Sequence, residues 1–325
     1  MVPRQHAFCV LIVRNIFNIT SVLETQNSSL VAIVGATGAG KSALAVAMAQ
    51  HFEGEIVNFD SVQVYRGLDI GSAKTPVAER GGIAHHLIDI AEPEEELTAG
   101  SFAALARGCL REIAGRGRLP VLVGGTGFYL RSLLDGLSPA PGRDAELRRR
   151  LGEVRGRRPG ALHRWLRRFD AAAAARIHAN DHQKLMRAIE LAAQQTEALP
   201  REPLVGFQVL RIGLNPPRVD LYRKINARST AMFDGGLLEE VRRLLDSGVA
   251  ADAKGLQTLG YRQAVAVLQG RMSATDAREE VQQKTRQYAK RQMTWFRRED
   301  VTWLDGFGDE LAVQEAAVAL IAEFF

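Results

Sequence analysis

Gly35-Ala36-Thr37-Gly38-Ala39-Gly40-Lys41-Ser42 is a complete G-x-x-x-x-G-K-[ST] run, and its spacing suits one task, holding a phosphate chain. Its glycines let successive backbone amides turn inward around phosphate oxygens. The helix that such a run opens adds the partial positive charge of its N-terminus. Lys41 can reach the terminal phosphates, and Ser42 is the candidate ligand for Mg2+, the one cofactor implied. The loop itself reads only a diphosphate or triphosphate tail. ATP and an allylic diphosphate would both satisfy it.

Two further clusters narrow the chemistry. Asp60-Ser61-Val62-Gln63 follows the next expected strand, at the edge that lines the ligand crevice of an open α/β sheet. There Asp60 would face the phosphate loop. In a kinase it would activate a hydroxyl or position Mg2+; in a prenyl transferase it would accept a proton from the attacking amine. Capping a helix is its plainer alternative. Val121-Leu122-Val123-Gly124-Gly125-Thr126-Gly127 ends a third strand in two glycines and a threonine, where an ordinary triphosphatase usually places an acidic residue. Thr126 could donate a hydrogen bond to a diphosphate oxygen as charge develops on it.

The elements that must position these residues alternate. Leu30–Val34, Glu55–Phe59 and Pro120–Val123 read as strands, and Ser42–Phe52 and Ser101–Ala114 as helices. Leu44, Ala45, Met48 and Ala49 share one helical face. This order predicts a parallel sheet flanked by helices. Pro139-Ala140-Pro141-Gly142 breaks the rhythm, and from Asp144 to about Glu197 the chain is rich in Ala, Leu and Arg with no strand. Pro200 and Pro203 mark the return, Val205–Leu214 reads as another strand, and Asp220–Phe296 is mostly helical. The division expected is a core of 30–138 and 201–325 with a helical insertion at 139–200.

The 325 residues, 46% apolar and 24% charged, suffice for a buried core and about two domains. The net charge of +5 is unevenly spread. Arg143 to Arg187 holds 13 Lys/Arg against 5 Asp/Glu, a balance of +8, so the rest of the chain sums to −3. A polyanionic partner for that segment, or a solvated helical surface, would explain the excess. Cys9 and Cys109 make neither a disulfide framework nor a zinc cluster, which fits a reducing cytoplasm. No stretch has the roughly 18–20 apolar residues of a membrane span. Ala7–Val13 is apolar, but Arg14 ends the run and no small-x-small cleavage site follows. Residues 1–29 are expected to be a poorly ordered extension.

Three motifs stand in order: GATGAGKS, Phe59–Lys74 and Val121–Leu137. With them stand His85–Asp89, Ala175–His178, Asn180-Asp181, Arg187–Glu190, Gly260–Arg262 and Lys290–Phe296. Together, over about residues 30–305, they resemble the tRNA dimethylallyltransferase family of bacterial type. The resemblance implies an α/β, P-loop NTPase-like sheet with an inserted all-helical domain that grips the tRNA anticodon arm. It implies transfer of dimethylallyl from dimethylallyl diphosphate to the exocyclic amine of the adenosine 3′ of the anticodon; a monomer is expected.

By the same resemblance Asp60 is the general base, Thr126 the catalytic threonine, and Lys41 acts with the Gly35–Ser42 loop on the diphosphate. Contact with tRNA falls to Asp60, Ser61, Val62, Gln63 and Thr126, and to Gln183, Lys184, Leu185, Met186 and Arg187. It also falls to Gln257, Thr258, Leu259, Gly260, Tyr261 and Arg262, and to Lys290, Arg291 and Arg297. The loop has Ala36 where many members have proline and Ser42 where they have threonine, and both changes keep the needed backbone and hydroxyl. The zinc finger of eukaryotic members is absent. Rival readings are a P-loop kinase of a nucleoside or small metabolite, which leaves the basic insertion unexplained, and an adenylate prenyl transferase, which has no need of it. Lys284, Tyr288 and Arg291 share one expected helical face near the site, although Tyr288 and Trp295 could simply be core.

Overall fold

The computed structural model describes residues 27–138, 140–194 and 200–325. In chain order the elements begin with β1 (Ser28–Gly35), α1 (Lys41–His51), β2 (Glu55–Asn58), β3 (His85–His86), α2 (Ala99–Gly115), β4 (Pro120–Val123) and α3 (Gly127–Leu134). Four helices follow: α4 (Ala145–Arg157), α5 (Ala161–Phe169), α6 (Ala171–Arg176) and α7 (His182–Ala193). The chain closes with β5 (Phe207–Leu214), α8 (Arg218–Asp234), α9 (Leu237–Asp246), α10 (Tyr261–Leu268), α11 (Ala274–Phe296), β6 (Thr302–Leu304) and α12 (Leu311–Phe324).

The strands form one sheet in the order β3-β2-β4-β1-β5-β6, with every pairing parallel. β1 from Leu30 onward and all of β4 are buried, the signature of parallel strands covered on both faces. β1 sits between β4 and β5, so the chain builds one half of the sheet and then passes β1 to build the other. Such a switch point is where open α/β sheets place their ligand crevice, outside the C-terminal strand ends. Ile33 pairs with Val123, and Val123 with Asn58. The phosphate loop, Asp60 and Thr126 therefore all begin within three residues of one row across the sheet.

The helices fit their sequence. α1 buries Leu44, Ala45, Met48 and Ala49 against this sheet, and α12 adds Val313, Ala317 and Ile321. A second core joins the 62–70 segment to α8–α11, with Phe233, Leu237, Val241, Leu256 and Tyr261 at its centre. Glu240, 4% exposed, lies within it. Its carboxylate accepts hydrogen bonds from the Ile70 amide at 2.8 Å, the Asp69 amide at 3.2 Å and the Tyr261 hydroxyl at 2.6 Å. This buried anion fixes the loop that follows Asp60.

Residues Asp135–Pro203 form a separate compact unit, against the 139–200 expected. Its core is Leu151, Leu162, Leu166, Leu185, Met186 and Ile189. Asp144, Asp170 and Asp181 each cap a helix by accepting a backbone amide. Fully buried Glu190 is held by two nitrogens on one guanidinium edge of Arg148, at 2.6 and 2.8 Å, the two-pronged pairing that lets a carboxylate leave water.

Some expectations change. Ser28 and Ser29 belong to β1, paired with Phe207 and Gln208, and not to an extension. Residues 1–26, Pro139 and 195–199, the end of the expected helical stretch, lie outside the described residues. The sequence pattern left β3 and β6, of two and three residues, and the helices α3 and α12 unread. His86 bonds Glu55 at 2.7 Å on the edge strand, a structural role.

Replacing Tyr261 by Phe should lower stability by about 1.5–3 kcal/mol, the range for a hydrogen bond to a buried charge. Urea denaturation checks this, with a lower midpoint at an unchanged slope. A shift below about 0.5 kcal/mol would show that Glu240 does not depend on Tyr261.

Candidate active site

The phosphate loop turns out of β1 at Gly35 and enters α1 at Gly40, which has φ of +85°. A Cβ there would lie 2.7 Å from the Gly308 nitrogen, so both conformation and space require glycine. No side chain caps α1, which leaves its first amides free to meet an anion. Lys41 Nζ donates to the Ala36 carbonyl at 2.8 Å and lies folded over its own loop. Burial pushes its pKa down to about 8; the Asp60 charge opposes that fall and the Arg228 charge adds to it.

Asp60 lies just beyond β2, where Asn58 holds the turn by accepting its amide at 3.1 Å. Its Oδ1 accepts the amides of Val62 at 2.8 Å and Gln63 at 3.4 Å. Asp60 thus caps a turn and faces the loop at once. Its Oδ2 has no hydrogen-bond partner among the described residues. Thr126 Oγ1 accepts the Ser61 amide at 3.1 Å and donates to Ser61 Oγ at 3.3 Å. The second and third motifs are therefore tied together directly.

Arg228 and Gln292, outside the sequence-derived set, complete the site together with Tyr288, expected from the sequence on a helical face nearby. Arg228 of α8 donates to Thr37 Oγ1 at 2.5 Å; burial pushes its pKa down and the Asp60 charge opposes this. Gln292 of α11, 5% exposed, accepts the Thr37 amide at 2.8 Å and donates to the Gly125 carbonyl at 2.9 Å. The hydroxyl of Tyr288, one turn earlier, lies beside Thr126 and Gln292; burial and then the Asp60 charge push its pKa to about 12, so it stays a neutral donor. A Cβ on Gly125 would meet Gln292 Nε2 at 2.0 Å. Close approach by the glutamine, as well as the lack of a carboxylate, accounts for glycine at this strand end. One signal was in the sequence: Gln292 is a polar residue on the α11 stripe of Ala277, Val281, Ala289 and Phe296. For Arg228 there was none.

The residues assigned to tRNA contact fall into distinct settings. Gln63 donates its side-chain amide to the Ser72 and Ala73 carbonyls, and half-buried Val62 packs on the second core. Tyr261 is fully buried on Glu240, and Leu185 and Met186 are core residues of the helical unit. Their side chains face their own cores and are not presented to a ligand. Gly260 is buried, with its amide on Gln263 Oε1. Thr258 and Leu259 are half-buried, with the Thr258 hydroxyl on the Gly255 carbonyl at 2.6 Å.

Gln183, Lys184, Gln257 and Arg262 are exposed, whereas Arg187 is half-buried and bonds the Pro141 carbonyl at 2.7 Å. The Arg291 guanidinium stands 5.7 Å from the Tyr288 ring centre. Lys290 and Arg297, with Thr294, line a cavity of about 810 Å³ that contains none of Lys41, Asp60 or Thr126. The Trp295 ring fills the space that a Cβ on Gly127 would need, with its Nε1 2.3 Å from that point, and the Arg131 guanidinium lies 4.6 Å from the ring centre.

A family model described as IPP transferase matches residues 63–299. The tRNA dimethylallyltransferase of Solibacter usitatus is 49% identical over 302 residues, covering 91% of this chain and 98% of that protein. That of Koribacter versatilis is 51% identical over 302 residues, covering 90% and 97%. Among solved structures, the tRNA isopentenylpyrophosphate transferase of Bacillus halodurans superposes with a TM-score of 0.68 at 36% identity, covering 91% of this chain and 98% of its own. A eukaryotic dimethylallyltransferase acting on tRNA gives a TM-score of 0.76 at 25% identity, with 91% and 79% covered. The fold is the P-loop NTPase-like fold of these enzymes, and the chain belongs to the tRNA dimethylallyltransferase family.

Proposed function

We propose that this protein transfers the dimethylallyl group of dimethylallyl diphosphate to N6 of the adenosine 3′ of the tRNA anticodon, releasing diphosphate. The observation that carries the reading is the junction of Asp60, Thr126 and the phosphate loop at one sheet edge, with Ser61 bonded to Thr126 and Gln292 bonded to both loops.

An adenine amine is a weak nucleophile, because its lone pair is delocalised into the ring. The allylic carbon compensates by developing cationic character as its C–O bond breaks and the electron pair leaves with diphosphate. The N6 lone pair forms the new C–N bond, and an N6 proton passes to Asp60, whose Oδ1 is held by backbone amides while Oδ2 is open. Charge on the leaving diphosphate is met by the α1 amides, by Lys41 as it releases the Ala36 carbonyl, and by Arg228.

The hydroxyl of Ser42, half-buried at the start of α1, has no hydrogen-bond partner among the described residues. It would hold Mg2+, which supplies a further positive charge on the diphosphate. Among the described residues no group of three His, Cys, Asp or Glu could cage an ion, which fits an ion held mainly by substrate oxygens and water.

The acceptor side rests on the helical unit, where Arg155, Arg157, Arg158, Arg167 and Arg168 are exposed and form no salt bridge among the described residues. Such unpaired arginines suit a phosphate backbone. No helix of the described residues is long and apolar enough to cross a membrane.

Asp60→Asn should lower turnover roughly 10²–10⁴-fold with tRNA affinity largely kept, as general-base loss does; unchanged single-turnover rates would refute the assignment. Arg167→Ala with Arg168→Ala should weaken tRNA binding and reduce the slope of log affinity against log salt by about 2, leaving diphosphate binding alone. An unaltered slope would place the RNA elsewhere.

Lys41 gives a pH dependence whose sign follows from its lowered pKa of about 8. Below that value it is charged and ready for diphosphate; above it, binding must take up a proton. The KM for the donor should be level up to about pH 7.5 and rise by up to about tenfold per unit above 8, while Lys41→Arg levels the profile. A wild-type KM unchanged to about pH 9.5 would contradict this role for Lys41.

A further inference from the structure

Gln292 lies 255 residues from Thr37 and 167 from Gly125, yet its one carboxamide bonds both. Oε1 takes the Thr37 amide at 2.8 Å and Nε2 gives to the Gly125 carbonyl at 2.9 Å. The side chain is buried, and its helix is anchored on either side of it by Ala289 and Phe296, each 1% exposed. Thr37 belongs to the loop that cradles phosphate, and Gly125 immediately precedes Thr126. The Thr37 amide is therefore committed to Gln292, leaving the later amides of the loop for the ligand.

We propose that Gln292 is a positioning residue for prenyl transfer. It clamps the phosphate loop to the Gly125-Thr126 loop and so sets the distance from the leaving diphosphate to Asp60 and Thr126. The inference rests on the transfer reading given above and assigns a role to a residue that touches no reacting atom. Asparagine is one methylene too short to span both loops. Glutamate keeps the acceptor for Thr37 but sets a carboxylate oxygen against the Gly125 carbonyl. When protonated, that carboxyl regains a donor and becomes a close mimic of glutamine. Burial and the Asp60 charge favour the protonated form of such a carboxyl, Lys41 and Arg228 at the phosphate loop oppose them, and the neutral Tyr288 hydroxyl lies beside it.

The test compares wild type, Gln292→Glu and Gln292→Leu in transfer to tRNA across about pH 5.5 to 8.5, at temperatures where melting shows each variant folded. At the alkaline end both variants should lose about 10²-fold in kcat, the scale of a misplacement near 1 Å. Donor KM should change by less than about threefold, because the remaining cradle amides and Lys41 stay in place. As pH falls, the ratio of kcat for Gln292→Glu to wild type should climb towards unity, whereas the Gln292→Leu ratio stays flat.

A kcat like wild type in either variant at high pH, or a flat ratio for Gln292→Glu, would overturn the clamp. Hydrogen exchange over residues 35–41 and 123–127 reads the clamp without catalysis. Both segments should exchange faster in Gln292→Leu, and wild-type rates there would also overturn it. A wild-type protein that transfers nothing to tRNA, with exchange changed as expected, would leave the clamp as structure and remove its role in transfer. That outcome would locate the failure in the functional reading.

Discussion

The pairing of β1 with β4, and of β4 with β2, is the constraint on which the rest of the molecule depends. Parallel pairing in register sets Ile33, Val123 and Asn58 side by side, so the three loops that follow emerge together at one edge. Close packing on both faces holds the strands in that register, because a slip of one residue would move every side chain into the opposite helix layer, against a surface shaped for its neighbour. The loops have little regular structure of their own. They are held by single side chains: Glu240 on the 69–71 amides, Asn58 on Asp60, Thr126 on Ser61, and Gln292 on the phosphate and Gly125 loops.

Charge is arranged around the same edge. Lys41 and Arg228 would be costly neighbours without an anion, since burial and mutual repulsion both depress the Lys41 pKa. Asp60 offsets part of that cost in the free protein. A bound diphosphate would offset more. On the proposed reading the two cations would meet the departing diphosphate, and Asp60 would take the proton of the incoming amine.

How much was legible depended on the range over which a residue acts. GATGAGKS, Asp60 and Thr126 were readable because each needs only its own loop and the strand before it. The helical insertion was readable from composition, and α1 from its four apolar positions. Arg228 and Gln292 act across 191 and 255 residues on Thr37, and helix packing alone brings them there. Tyr261, Leu185 and Met186 stood within motifs that resembled tRNA-contacting segments. A motif does not say which side of a helix faces the core, and these three face it. β3 and β6 are too short to show a period, and are strands only because a neighbour pairs with them.

The central claim is that this sheet edge joins an allylic diphosphate to an adenine in tRNA. The most direct measurement incubates the purified protein and Mg2+ with labelled dimethylallyl diphosphate, giving one sample unmodified tRNA with adenosine 3′ of the anticodon and another AMP. The account requires label in the tRNA at that adenosine and none in AMP. Label in AMP alone would contradict it and make this a nucleotide prenyl transferase. Label in neither acceptor, from folded protein that hydrolyses ATP, would contradict it in favour of a kinase-like activity.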